Sequence, residues 1–324
     1  MNILITGGAG YVGSVLTPHL LTLGHSVTVI DLFIYGNTLS PHPKLKIVEG
    51  DIRDKKLLEK QLNNINVVIH LACISNDPSF ELNPDLGKSI NLDAFPSLVD
   101  ISKYKKVEKF IYASSSSVYG IKSESDVNEE MSLEPLTDYS KFKAECEQIL
   151  NYAKTRDFKV VTIRPATVCG YSPRQRLDVI VNILTNLAYF KREITVFGGS
   201  QLRPNIHILD MVRSYELLLK TDFNKINGEI FNVGFENVTV DNLANTVKEI
   251  LGQEISIKKI PTNDNRSYHI SSEKIKKILN FKPEFSIKSA IVGLKEAFDK
   301  KLLINTFDDE RFYNIKVMNS INLK

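Results

Sequence analysis

Cysteine is scarce in this chain, neither sign of charge is in excess, and no long hydrophobic run occurs. The 324 residues hold three cysteines, Cys73, Cys146 and Cys169. Odd in number, scattered and without zinc-ligand spacing, they argue against a disulfide framework and fit a reducing compartment. Lys and Arg number 41 against 38 Asp and Glu, a net charge of +3. With no basic block, charge gives no sign of a nucleic-acid partner. The longest apolar stretches, such as Val67 to Ile74, are too short to span a bilayer. The first strand begins at residue 2, which leaves no room for a signal peptide. Internal repeats and low-complexity linkers are missing too. These absences together predict a cytoplasmic protein with no membrane partner and no metal.

What is present begins with the first turn. Asn2 to Thr6 reads as a buried strand, broken by Gly7-Gly-Ala-Gly10-Tyr11-Val12-Gly13. Apolar residues then recur at helical spacing through Val12, Val15, Leu16, Leu20 and Leu23. Gly7 permits the tight turn, Gly10 lets a phosphate approach the backbone, and Gly13 lets the helix pack closely. The free N–H groups at the helix start face an anion. Glycines alone prove little, since this spacing arises by chance in roughly one in twenty-five such chains. The context supplies the rest: a second apolar strand, Ser26 to Asp31, ends in an acid placed to hold a ribose hydroxyl. A carboxylate at Asp31 repels a 2′-phosphate, so the expected cofactor is NAD rather than NADP.

Strands alternate with helical patterns along the chain, the signature of an α/β fold with a doubly wound parallel sheet. Leu45 to Glu49 forms a third strand, followed by Asp51 and Ile52. Asp51 is placed to cap the next helix, to hold the adenine amino group, or both. The fourth strand, Asn66 to Ala72, is nearly all apolar and hence buried on both faces; His70 within it reads as a core histidine. A long helix is predicted from about 85 to 103, carrying Asn91. The fifth strand, Lys109 to Ala113, opens into Ser114-Ser115-Ser116-Ser117. Ligands in such sheets bind at the carboxyl ends of strands, so these hydroxyls face the cofactor. Tyr139 and Lys143 sit four apart on one face of a helix starting near Asp138. About one Tyr-x-x-x-Lys pair is expected by chance in this composition, so position rather than spacing is the evidence. A Lys ammonium beside the phenol, with a positive nicotinamide, lowers its pKa from the usual ~10 and makes Tyr139 a base.

With these residues in view, the chain resembles the extended short-chain dehydrogenase/reductases that act on nucleotide sugars, over roughly residues 1–300. The resemblance implies a Rossmann-type sheet of about seven strands in residues 1–165. Strand 229–234 returns to it, and 166–324 form mainly a smaller substrate-binding lobe. It implies NAD held by Gly7, Gly10, Tyr11, Val12, Gly13, Asp31, Asp51, Ile52, Leu71, Ala72, Asn91, Val168, Tyr139 and Lys143. Ser115, Tyr139 and Lys143 fall on the family's catalytic positions. Ser115, Ser116, Thr167 and Asn182 fall where the family touches its substrate. Arg203, in Arg203-Pro-Asn-Ile-His207-Ile-Leu-Asp210, and Arg266 match its diphosphate-clamping arginines; a guanidinium binds phosphate oxygens as a fork.

One departure bears on the reaction. The family's 4,6-dehydratases carry an Asp-Glu pair directly after the catalytic Ser/Thr, where this chain has Ser116 and Ser117; dehydration is therefore disfavoured. Cys169 stands where many relatives have tyrosine, Cys73 where alanine is usual, and neither reads as a nucleophile. Residues 301–324 match nothing in the family pattern. The expected activity is NAD-dependent epimerisation of a nucleoside-diphosphate sugar by transient oxidation at C4. The alternatives are a 4-dehydrogenase that releases the keto sugar and a non-catalytic dinucleotide-sensing protein. A homodimer through helices 85–103 and 138–155 is also expected.

Overall fold

The computed structural model describes residues 1–75, 77–262, 267 and 269–321. The first half alternates β1 (Asn2–Thr6), α1 (Gly13–Thr22), β2 (Ser26–Asp31), β3 (Leu45–Glu49), α2 (Lys55–Gln61) and β4 (Val67–His70). Three short helical pieces follow, α3 (Asp77–Glu81), α4 (Pro84–Lys88) and a π-turn at Ser89–Asp93. Then come α5 (Phe95–Tyr104), β5 (Lys109–Ala113), α6 (Asp138–Ala153) and β6 (Lys159–Pro165). The second half runs β7 (Thr167–Cys169), α7 (Ile180–Lys191), β8 (Glu193–Phe197), β9 (Leu202–His207) and α8 (Ile208–Lys220). It continues with β10 (Ile230–Val233), β11 (Glu236–Thr239), α9 (Val240–Leu251) and β12 (Ser256–Ile260). It ends with α10 (Glu273–Leu279), α11 (Ile287–Asp299) and α12 (Asn314–Ser320).

Seven parallel strands form the main sheet in the order β10-β6-β5-β4-β1-β2-β3, the doubly wound sheet that the alternation predicts. Both faces are covered. Ile3 and Ile5 pack into one apolar cluster with α1 and α8, and Leu4 between them packs into another with α2 and α5. This is the period of two along a strand buried on both sides. β1 pairs β2 on one side and β4 on the other, so the strand order reverses beside β1 and opens a crevice at its carboxyl end. The second half builds a smaller body. It contains the sheet β11-β9-β7, the pair β12-β8, and an apolar cluster under α7, α9 and α11. Helix α8 and strand β10 return from it to the main sheet.

The long helix expected from 85 to 103 is broken. Ala94 N–H reaches back five residues to Ser89 O, a π-turn, and α5 restarts with a proline in its first turn. Pro96 has no N–H to give to Leu92 O, so an unbroken α-helix loses a bond there. In first-turn position the missing donor costs nothing. Asp51 is not the cap of α2 either: Asp54 accepts from the backbone N–H of Lys56 and Leu57. Asp51 instead accepts from the Arg53 backbone and guanidinium, at 2.8 and 2.6 Å.

Candidate functional site

The first turn, the ends of β4 and β5, the start of α6 and the loop after β7 enclose one cavity of about 600 Å³. Gly7 has φ +73°, and a Cβ there would lie 2.6 Å from Ala72 N. A side chain at Gly13 would come 2.6 Å from Gly7 O. Glycine is thus required both to turn the chain and to bring α1 against the turn. Both oxygens of Asp31 are held: Oδ2 accepts from Ala9 N–H and Oδ1 from Phe33 N–H, each at 2.9 Å. Burial raises the Asp31 pKa, and these hydrogen bonds pull it back.

Of the residues expected at the cofactor, Gly7, Gly10, Tyr11, Val12, Gly13, Asp31, Ile52, Leu71, Ala72, Val168, Tyr139 and Lys143 line the cavity. Two do not. Asp51 is turned to Arg53 beside the cavity. Asn91, on the π-turn, is buried behind it, accepting from Ile74 N–H at 2.8 Å and donating to Ile74 O at 3.0 Å. Its side chain is used up in fixing the strand-end loop whose Leu71 to Ile74 form the wall. The Tyr11 hydroxyl donates to Gly170 O at 2.7 Å, tying the first turn to the loop after β7.

Ser115, Ser116, Thr167 and Arg203 line the same cavity. Asn182 does not belong with them. It is fully buried, accepting from Gly170 N–H and donating to Tyr11 Oη and Arg176 O. With its amide satisfied by the protein, it braces the 170–176 loop rather than facing a ligand. Arg266 lies outside the described residues. The motif around Arg203 divides its labours: His207 caps α8 through Leu209 N–H, and Asp210 accepts from Glu284 and Phe285 N–H.

At the centre of the cavity wall stand Ser115, Tyr139 and Lys143. A capping box of Thr137 and Ser140 starts α6 at the point where Tyr139 leaves the wall. Lys143, one turn on, donates from Nζ to Ala113 O at 2.7 Å and lies 5.8 Å from the Tyr139 ring centre. Ser115 follows β5, its Oγ 2.8 Å from Ser117 Oγ. Behind them is a buried ion pair. Arg164 donates to both oxygens of Glu147, at 2.7 and 3.0 Å, and Ser114 Oγ donates to the same carboxylate at 2.5 Å. Arg164 also donates to Tyr119 Oη. This network ties β5, β6 and α6 together beneath Ser115, Tyr139 and Lys143.

The Tyr139 phenol departs from expectation. Its pKa lies well above the ordinary value, because burial outweighs everything else. The negative charge of Asp77 adds to the rise; Arg176 and the Ser115 hydroxyl oppose it. His70 is a core side chain, its Nδ1 2.6 Å from Thr6 Oγ1, and burial pushes its pKa down to about 3.

The sequence reading missed Tyr35, Asp77, Arg174, Arg176, Asp178 and Asn314, which also line the cavity. Pro173-Arg-Gln-Arg176, two arginines two positions apart a few residues beyond a strand end, carried a signal for two of them. Asn314 carried none, since it reaches the cavity from a tail far away in sequence.

A glycine turn at a sheet reversal, an acid at the end of the second strand and a Ser/Tyr/Lys set on one wall define a dinucleotide-dependent enzyme of the short-chain dehydrogenase/reductase type. Residues 3–234 match the NAD dependent epimerase/dehydratase family, and the chain belongs to that family. It is an enzyme that uses NAD. Among its relatives is a UDP-glucose 4-epimerase of Lactobacillus helveticus, 27% identical over 88% of this chain and 92% of that one. Among solved structures, the UDP-glucose 4-epimerase of Thermotoga maritima with UDP-glucose superposes with a TM-score of 0.85 at 26% identity. It covers 94% of this chain and 100% of that one. MoeE5 in complex with UDP-glucuronic acid and NAD gives 0.80 at 25% identity, over 93% and 100%.

Proposed function

We propose that the protein is an NAD-dependent epimerase of a nucleoside-diphosphate sugar that works by transient oxidation at C4. The observation that carries this reading is the placement of Ser115, Tyr139 and Lys143 on the wall of the cavity that the glycine turn also lines. The relatives' substrates agree with it.

The residues present fit the cofactor. Gly7, Gly10 and Gly13 leave backbone room for a diphosphate at the start of α1, and Asp31, fixed by two N–H groups, is set for a ribose. Ile52, Leu71, Ala72 and Val168 supply apolar wall, and Lys143 with Tyr139 reaches the second ribose. When bound, NAD accepts and returns the sugar's hydride, and its positive ring adds the charge that favours the phenolate. Tyr139 takes the proton of the C4 hydroxyl, directly or through Ser115, and gives it back after the sugar has turned over. Ser115 hydrogen-bonds the reacting oxygen, Ser116 and Thr167 hold sugar hydroxyls, and Arg203 holds the diphosphate.

Dehydration lacks its acid and base, because Ser116 and Ser117 occupy those places. The cavity's other carboxylates hold different groups: Asp31 is set for the ribose, Asp77 accepts from Thr137 Oγ1, and Asp178 accepts from Arg176 and Asn314. A homodimer through α5 and α6 is part of the same reading, and these helices expose Tyr104 (80%) and Tyr152 (87%). Sedimentation showing a monomer at micromolar concentration would remove that part.

The test is incubation with a panel of UDP-, GDP-, CDP- and dTDP-sugars, followed at the NADH band, with products identified by mass and NMR. A sugar of unchanged mass without lasting NADH is expected. A product two hydrogens lighter, with reduced cofactor accumulating, would establish a 4-dehydrogenase instead.

A further inference from the structure

The loop after β7 buries a cation, Arg174, in the wall of the cavity. Arg174 is 4% exposed, its guanidinium stacked 3.8 Å from the Tyr35 ring centre. Among the described residues it forms no ion pair, and its Nε has no hydrogen-bond partner. Burial and the neighbouring Arg176 depress its pKa to about 10, against the opposing pull of the Asp178 and Asp31 carboxylates. A buried, unpaired guanidinium is costly, and one kept in place by dedicated contacts marks a position where an anion belongs.

The contacts here are dedicated, and they come from the tail. Asn314, itself buried, accepts from Arg174 Nη2 at 2.6 Å and donates to Ser75 Oγ at 2.8 Å. Asp178 Oδ2 accepts from Asn314 N–H, and Leu177 N–H donates to Phe312 O. The residues after α11 thus cross from the small body to the wall of the main sheet. Met318 and Ile321 then pack against the cluster beneath that wall. The location of the arginine names the anion. Arg174 N–H donates to Ser14 Oγ in the first turn of α1, so its side chain starts beside the helix end where backbone N–H groups await a phosphate.

We propose that Arg174 is a diphosphate-binding residue for the dinucleotide, and that Asn314 of the C-terminal tail is the positioning residue that aims it. The phosphates then sit between α1 and a side-chain cation, and the tail becomes part of the cofactor site. This rests on NAD lying with its diphosphate at the start of α1.

The test is calorimetric titration of the dialysed full-length protein with NAD, ADP-ribose and adenosine, alongside melting curves without ligand. Arg174→Gln is expected to weaken NAD and ADP-ribose by about tenfold or more, the scale of a charge-assisted hydrogen bond. Adenosine, which lacks phosphate, should bind within about twofold of wild type. The unliganded variant should melt no lower than wild type, since an unpaired buried charge is gone. Asn314→Ala should weaken NAD severalfold, again sparing adenosine, and Arg174→Lys should recover part of the loss. Arg174→Gln binding NAD as wild type does, or losing adenosine to the same degree, would overturn the proposal. If that variant fails to fold, wild-type NAD affinity in both Asn314→Ala and Arg174→Lys would overturn it equally. Wild-type protein that binds no NAD would overturn the cofactor placement itself, and this proposal with it.

Discussion

The two sides of the cavity were built by different means. The wall from β1 to β5 is made of strand ends and turns adjacent in sequence to the strands that carry them. Gly7 follows β1, Asp31 ends β2, Leu71 and Ala72 follow β4, and Ser115 follows β5. The opposite wall is made of loop and tail. Arg174 and Arg176 come from an irregular stretch after β7, and Asn314 arrives from beyond α11. On the first wall a residue's role follows from its place in a repeating βα unit. On the second it follows from long-range contacts that no local pattern encodes.

The largest effect should come from the first wall. Tyr139→Phe removes the proposed proton acceptor and leaves the ring in place. Turnover of the correct nucleotide sugar should fall by about 10²–10⁴, with NAD affinity within a few fold of wild type. Turnover that survives would show that the chemistry lies on the other wall. The phenol's raised pKa sharpens this. Burial favours the neutral form, so activity should climb with pH up to the point where the bound-state phenol ionises. A flat profile from pH 6 to 9 would contradict a tyrosine base.

Next in size is the support beneath that wall. Arg164→Leu strands Glu147 as a buried charge 4% exposed, and should cost about 3–5 kcal/mol in chemical unfolding. The Lys141–Asp138 pair on the exposed face of the same helix should cost well under ~1 kcal/mol when broken by Lys141→Ala. Equal losses would mean that the Glu147–Arg164 network is not what locks β5, β6 and α6.

These elements also mark where legibility ended. Most strands of the main sheet could be read as short apolar runs set off by helical periodicity, while the returning strand at 229–234 came from the family resemblance. The glycine turn, Asp31 and the Tyr139–Lys143 pair could be read because sheet topology fixes what lies at a strand end. Spacing could not show whether a polar side chain faces the cavity or the protein. Asn91 and Asn182 were both expected at a ligand, and both are spent on backbone amides and carbonyls instead. The burial that raises the Tyr139 pKa in the protein alone is likewise invisible to spacing. Sequence places a lysine one turn away but cannot show that its ammonium is already held by Ala113 O. The break in the helix at 89–93 was signalled only by Pro96, which is compatible with a continuous helix starting later.

A smaller effect tests the core histidine of the first wall. Burial holds His70 near 3, against an unfolded value near 6.5. Between those values the unfolded chain binds the proton and the native one does not. Stability is therefore complete above about pH 6.5 and falls as pH drops toward 3. From pH 6.5 to 5 this group should contribute a loss of order 1 kcal/mol. His70→Gln, which keeps a partner for Thr6, should show a shallower acid slope in chemical unfolding. An unchanged slope would assign the acid sensitivity to other groups.

The smallest expected effect separates two neighbouring acids. Asp54 caps α2 through two N–H groups, whereas Asp51 is engaged with Arg53. Asp54→Ala should lower stability by about 1 kcal/mol and leave NAD binding alone, since Asp54 does not line the cavity. Asp51→Ala should cost less, because its ion pair with Arg53 is only partly buried. If Asp51 turns from Arg53 to the adenine amino group when the dinucleotide is present, Asp51→Ala weakens adenosine and NAD alike. If Arg53 keeps it, both ligands bind as in wild type. Titrating adenosine into the two variants decides between these, and it also shows whether the first wall ends at Ile52 or includes the acid beside it.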